Sequence, residues 1–178
     1  MSTYPIKHIQ IGVSSCLLGH KVRYDGQDKQ HRNVLKLCEQ FDCVAICPET
    51  AIGLGVPRPP LQLVQIASEI HARGITRPHH DVTDSLAHYA NTIFHSLPTL
   101  CGYVFKARSP SCGINSTPVF SEASAQRLGT SSGIYSGRIQ QLAEKLPVIE
   151  ETGLNNNEDV VVFIDKVVAY ANVKSNSA

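Results

Sequence analysis

Charge of one sign is nearly absent as an excess: 16 Lys and Arg stand against 15 Asp and Glu in 178 residues, a formal net charge of +1. This balance excludes the diffuse positive field that holds a nucleic-acid backbone, so no intact nucleic acid is expected as a partner and the ligand is expected to be small. No run of 18 consecutive apolar residues occurs, which argues against a membrane-spanning helix. Met1 to Gln10 lacks the basic-then-apolar order of a secretory leader. A cytoplasmic protein is therefore expected, in a compartment where thiols stay reduced. Six cysteines also fall well below the density of small disulfide-stapled scaffolds. A disulfide framework is not expected, and metal, redox or nucleophilic roles for the thiols rise in its place. What the sequence does hold is enough apolar material for a core, with 42% of residues hydrophobic in the length of one ordinary domain.

The period-two run His8 to Ser15, with Ile9, Ile11 and Val13 on one side, predicts a first strand, and Asn33 to Gln40 a short helix. Further strands are expected at Asp42 to Cys47, at Leu61 to Ile66 on a sheet edge, at Gly102 to Ala107 and, briefly, at Pro147 to Ile149. Helices are expected from Asp81 or Thr83 to about Leu97, over Gln140 to Lys145 after the Gly- and Ser-rich stretch Gly129 to Gly137, and over Glu158 to Asn172 with Asn157 as N-cap. Ala51 to Pro60 carries two glycines and three prolines and reads as a shaped loop. Strands alternating with helices predict a single Rossmann-like, doubly wound α/β domain over residues 1–173, a mostly parallel sheet with helices on both faces, followed by a flexible tail at 174–178. Ligands of such sheets sit at the carboxyl ends of the strands.

Three cysteines fall at those ends. Cys16 follows the first strand in Ser14-Ser15-Cys16-Leu17-Leu18-Gly19, Cys47 follows the second and precedes Pro48-Glu49, and Cys112 lies in the turn Ser109-Pro110-Ser111-Cys112-Gly113. Taken alone, a cysteine such as Cys16 reads more readily as a buried core thiol. Together they point to one site, in which three thiolates hold a metal or metal cluster and leave a position open for chemistry. Cys38, Cys43 and Cys101 are expected to be packing residues, with a helix and a strand separating the first two. A local zinc site from Cys38, Cys43 and Cys47 is the alternative. Glu49 is placed to act as general acid or base for water at the metal, or else as a surface or helix-start carboxylate. Lys21 to Gly26, with Arg23 and Tyr24, offers a cation and an aromatic face to a planar anionic ring, or is a solvated loop. Arg58, between Pro57 and Pro59-Pro60, presents a guanidinium fixed by rigid neighbours. His79-His80, in a loop, reads as surface.

Cys16-Leu17-Leu18-Gly19 with Val22 to Gly26, Cys47-Pro48-Glu49 with Gly53-Leu54 and Pro57 to Pro60, and Lys106-Ala107-Arg108 followed by Ser109 to Gly113 together resemble the thiouracil desulfidase family. Leu146 to Glu151 and Val162 to Tyr170 resemble the end of the desulfidase module in longer two-domain members of that family. The resemblance implies a 4Fe-4S cluster held by Cys16, Cys47 and Cys112 with one iron open. It implies non-redox removal of sulfur from thiouracil or a 4-thiouridine nucleotide, with Glu49 activating water and Ser109 positioning substrate or relaying a proton. Arg23, Tyr24, Arg58, Lys106, Arg108 and Ser111 are the expected substrate contacts. The expected partner is thus a small thiolated pyrimidine, and the expected assembly a monomer or homodimer. The competing reading is a non-catalytic metal or redox sensor, or a zinc-binding module, that uses the same thiols.

Overall fold

Short apolar strands whose partners lie far along the chain are the frame on which the rest hangs. A computed structural model describes residues 6–176. Strand β1 (Gln10–Ser14) pairs in parallel with β2 (Asp42–Ile46) on one side and β5 (Leu100–Phe105) on the other, and β5 pairs in parallel with β8 (Val148–Glu150). The order β2-β1-β5-β8 reverses its direction of growth between β1 and β5. That reversal opens a crevice at the carboxyl ends of these two strands. All six residues of β5 are buried, as a central strand with both faces covered requires.

Helices cover both faces. Helix α1 (Arg32–Gln40) and α5 (Asn157–Ser175) bring Val34, Leu37, Phe163 and Val167 onto Ile11, Val13 and Val104. On the other face α3 (Thr83–Ser96) and α4 (Ile134–Leu142) bring Ala90, Tyr135 and Ile139 onto Tyr103 and Phe105. A mostly parallel α/β sheet between helical layers is therefore what the chain forms. No helix among the described residues is long and apolar enough to cross a membrane.

A second sheet departs from expectation. Strands β3 (Leu61–Ile66), β4 (Glu69–Gly74), β6 (Thr117–Ser121) and β7 (Arg127–Ser131) form it in the order β4-β3-β6-β7, with β3 and β6 parallel and both outer pairs antiparallel. The strand Leu61 to Ile66, expected at an edge, is an inner strand of this sheet. Its partner β4 carries Glu69, His71 and Arg73, and β7 is exposed along nearly its whole length. β7 lacks the apolar alternation that reveals a strand, and in β4 it is confined to Ile70 and Ala72 between Glu69, His71 and Arg73.

Other elements shift by a few residues. Helix α4 starts at Ile134, earlier than expected, and Pro48–Ala51 forms a one-turn helix, α2, before the shaped loop begins. Asn156 caps α5, accepting from the Asp159 amide at 2.9 Å, rather than Asn157. Lys174 and Ser175 belong to α5, and Lys174 Nζ donates to the Leu100 carbonyl at 3.0 Å, so the expected tail is helical there; Ser177 and Ala178 lie outside the described residues. Cys38 and Cys43 form a disulfide with a Cα–Cα distance of 5.4 Å, against the expectation of separate packing thiols. Helix α1 ends at Gln40 and the chain enters β2 at Asp42, so Phe41 alone spans the turn that brings the two side chains together. With both thiols in that bond, the local zinc site is withdrawn.

Asp81 ties the second sheet to α3. Its carboxylate accepts from the Thr83 amide at 3.0 Å and hydroxyl at 2.6 Å, from Arg73 Nε at 3.0 Å and from His71 Nδ1 at 2.8 Å. Burial alone would raise its pKa, but the bonds from Thr83, Arg73 and His71 outweigh burial and hold it well below its ordinary 3.8. A depressed carboxyl stabilises the fold above its unfolded pKa and loses that contribution as pH falls toward the folded one. Urea denaturation should therefore show a loss of stability below about pH 4 that Asp81→Asn flattens, and the variant should be less stable at pH 7 by about 1–2 kcal/mol. Identical pH curves for the two proteins would remove Asp81 from this role.

Candidate active site

The flush register of β1, β2 and β5 gathers their carboxyl ends, with Ser14 opposite Ile46 and Val13 opposite Val104. Cys16 lies one turn past β1 in the 3-10 segment Ser15–Leu18, which Gly19 closes at φ +90°. That left-handed conformation costs a glycine little and other residues more. The Cys16 carbonyl accepts from the Gly19 and Lys29 amides. Cys47 precedes α2, with Pro48 at its first position and Glu49 in its first turn, so the helix begins as soon as the strand ends. Cys112 lies in the long connection from β5 to β6, where the Ser109 hydroxyl accepts from the Cys112 amide at 3.1 Å and the Ser111 amide at 3.3 Å. Gly133 lets α4 approach this connection: a Cβ there would meet the Ser111 carbonyl at 2.5 Å and the Cys112 nitrogen at 2.7 Å. Gly133→Ala should accordingly displace the Cys112 segment, with a lower melting temperature and faster alkylation of Cys112 than in the parent protein; unchanged values would show that the contact relaxes freely.

Cys16, Cys47 and Cys112 line one cavity of about 470 Å³ together with Glu49, Arg58 and Ser109. These three thiols are free, as is Cys101, which is buried at the entrance of β5, away from the cavity, and donates to the Thr99 carbonyl at 3.2 Å. Burial pushes the Cys16 thiol up to about 11, opposed by the nearby cations of Arg23 and Lys106. Burial likewise raises Cys112 well above an ordinary thiol, opposed by a hydrogen bond with Ser14.

Glu49 is held from two sides. Arg58 Nε donates to one carboxylate oxygen at 2.8 Å and the Ser111 hydroxyl to the other at 2.9 Å. Arg58 also donates to the carbonyls of Val22 and Gly55, at 2.8 and 2.9 Å, and is only 8% exposed. The guanidinium is thus a brace for Glu49 and for the Arg23 loop. Removing one partner of a buried pair strands the other, so Arg58→Met should lower stability by about 3 kcal/mol in urea denaturation. A loss under about 0.5 kcal/mol would class the pair with exposed ones. Ser111, expected to contact substrate, is fully buried and stands behind Glu49 instead.

Arg23, Tyr24, Lys106 and Arg108 all line the cavity. The Arg23 guanidinium lies 5.4 Å from the centre of the Tyr24 ring, and its buried Nε, 3.5 Å from Asp25, has no hydrogen-bond partner among the described residues. Arg108 adopts φ +58°, an uncommon conformation for a side-chain-bearing residue, and its amide donates to the Ser116 hydroxyl at 2.8 Å. Glu151 was not singled out by sequence: it follows β8, faces the cavity and pairs with Lys106. Its only signal was its place in the Leu146 to Glu151 motif. Ser14 and Lys29 also line the wall without any distinguishing pattern of their own. His79 and His80 lie elsewhere, in the loop between β4 and α3.

The donor set suits an anionic metal cluster. Three thiols from three separate elements surround the space, and the orphaned Arg23 Nε–H and the Lys106 ammonium offer positive charge to it. Among the described residues, no group of three or more His, Cys, Asp or Glu stands close enough to ligate a single metal ion.

The model of the 2-thiouracil desulfurase family matches residues 11–151, which include every cavity residue named above. The chain is 29% identical over 150 residues to the uncharacterized protein YbbK of Bacillus subtilis (strain 168), covering 81% of this chain and 97% of YbbK. Its fold is similar to that of the 4Fe-4S-dependent thiouracil desulfidase TudS, with a TM-score of 0.65, 24% identity, and coverage of 88% of this chain and 97% of that one.

Proposed function

Because the chain belongs to the 2-thiouracil desulfurase family, we propose that it removes sulfur from a thiolated uracil, either thiouracil or a 4-thiouridine nucleotide. Water supplies the oxygen: the carbon–sulfur bond breaks, a carbon–oxygen bond forms, and the uracil compound and hydrogen sulfide leave with no net oxidation or reduction. The observation that carries this reading is the meeting of three free strand-end thiols with Glu49 and Ser109 around one cavity. Cys16, Cys47 and Cys112 are the residues that would hold a 4Fe-4S cluster. With three protein ligands, such a cluster supplies a Lewis-acidic iron open to the substrate sulfur.

The remaining chemistry falls to side chains. Glu49, fixed by Arg58 and Ser111, keeps further lone pairs for a water and accepts its proton as general base. Ser109 has two acceptor positions and one donor; the amides of Ser111 and Cys112 occupy the acceptors, so the hydroxyl hydrogen is the part left to bond the substrate. Arg23 and Tyr24 offer a cation and a ring face to the pyrimidine, and Arg108 a second cation at the wall. A monomer or homodimer in the cytoplasm is the proposed setting.

Anaerobically reconstituted protein should release sulfide from 2-thiouracil, 4-thiouracil or 4-thiouridine monophosphate. A protein that purifies colourless with zinc and releases no sulfide from any of the three would favour the non-catalytic module.

A further inference from the structure

Lys106 follows β5 directly and Glu151 follows β8, the strand beside it, so adjacent strand ends deliver this cation and this anion to the same wall of the cavity. The Lys106 ammonium is paired with one Glu151 oxygen and donates to the Ala107 carbonyl at 3.0 Å. The other Glu151 oxygen accepts from the Ala107 amide at 2.7 Å, and the glutamate is only 7% exposed. An ammonium has three N–H donors and no acceptor. Two of the Lys106 donors are committed within the protein, and the third has no hydrogen-bond partner among the described residues while Lys106 lines the cavity. Next along the chain stands the Ser109 hydroxyl, whose two acceptor positions are filled. This wall therefore presents donors. The cavity's catalytic carboxylate, Glu49, lies after β2, at the opposite edge of the sheet from β8.

A wall of donors discriminates between pyrimidines. A uracil-type ring carries a carbonyl oxygen, an acceptor, where a cytosine-type ring carries an exocyclic amino group, a donor. Resting on the desulfidase reading above, we propose that Lys106 is a specificity-determining residue whose free N–H selects thiopyrimidines with a ring carbonyl over those with an exocyclic amino group. Glu151 is its positioning residue. The carboxylate fixes the direction of the ammonium and balances its charge, so the third N–H is aimed before the ligand arrives. An amino analogue would set N–H against N–H and leave a charged donor unsatisfied, a mismatch worth about a hundredfold in kcat/KM.

The test compares 2-thiouracil with 2-thiocytosine, and 4-thiouracil with 2-amino-4-thiopyrimidine, by sulfide release from the cluster-loaded protein. Parent protein should prefer each carbonyl ring about a hundredfold over its amino counterpart, while Lys106→Met should reduce the preference below about tenfold. Because Lys106→Met leaves a buried carboxylate, the double variant Lys106→Met with Glu151→Gln removes both charges and should lose the preference equally. Glu151→Gln alone should raise KM for thiouracil about tenfold at nearly constant kcat, and should add nothing in the Lys106→Met background. Calorimetric titration with uracil and cytosine should show the same loss of selectivity in binding, which a merely structural role would not produce. Equal use of carbonyl and amino rings by the parent protein, or a wild-type preference in both Met-bearing variants, would overturn the proposal. Absence of sulfide release from all four compounds by the parent protein would instead overturn the desulfidase reading on which it rests.

Discussion

Serine in place of Cys16, Cys47 or Cys112 should reduce sulfide release to that of the protein-free control and, in the same samples, reduce bound iron and acid-labile sulfide. The physical reason is the separation of the three elements that carry them. Cys16 and Cys47 follow β1 and β2, and Cys112 lies in the connection after β5, so each thiol comes from a different segment and none is a neighbour of another in the chain. A serine hydroxyl is a poor substitute for a thiolate, being both harder and far less acidic. Cys16 and Cys112 are buried, so a cluster short of one ligand would also face water through the vacated position. Cys101→Ser is the control. Cys101 is buried too, but at the opposite end of β5, and its replacement should change stability modestly while iron and turnover stay at the level of the parent protein. Full iron content with turnover in any one of the three strand-end variants would remove that cysteine from the ligand set.

Glu49→Gln should leave the iron content intact and lower kcat by about 10²–10³-fold, the usual contribution of a positioned general base. Glutamine has the same shape and retains a carbonyl oxygen able to accept from Arg58 or Ser111, so the surroundings of the thiols should hold. What is lost is a group able to take a proton from water. The iron measurement separates this effect from collapse of the site, and KM should change less than kcat because the group acts in the chemical step. Unchanged kcat would leave Glu49 as a brace between Arg58 and Ser111 and nothing more.

The central sheet and the gathering of its strand ends were legible because β1, β2 and β5 are short, apolar and separated by amphipathic segments with turn residues after each. Cys16 and Cys47 share that local context and are gathered by parallel pairing, whereas the placing of Cys112 depends also on the connection after β5, held by the Ser109 hydroxyl and packed on Gly133. The second sheet was not legible. Its hairpin partner β7 is held by backbone bonding to β6 while its side chains face water, and β4 turns only Ile70 and Ala72 inward, too short a hydrophobic period to betray it. The Cys38–Cys43 bond was missed because separate elements imply separate side chains, whereas a turn of one residue between them brings the two together. Arg58 was legible as a fixed guanidinium, but its target, the Glu49 carboxylate, depends on how the proline-rich loop folds back over α2. Glu151 escaped for a related reason. Its partner Lys106 lies 45 residues away in sequence, and only the pairing of β5 with β8 brings them together.

The claim that three thiols hold a cluster is tested most directly by the iron and acid-labile sulfide content of anaerobically reconstituted protein. About four of each per chain is the predicted result, with a brown protein absorbing broadly in the visible. Less than about one iron per chain, with zinc or no metal in its place, would contradict the account.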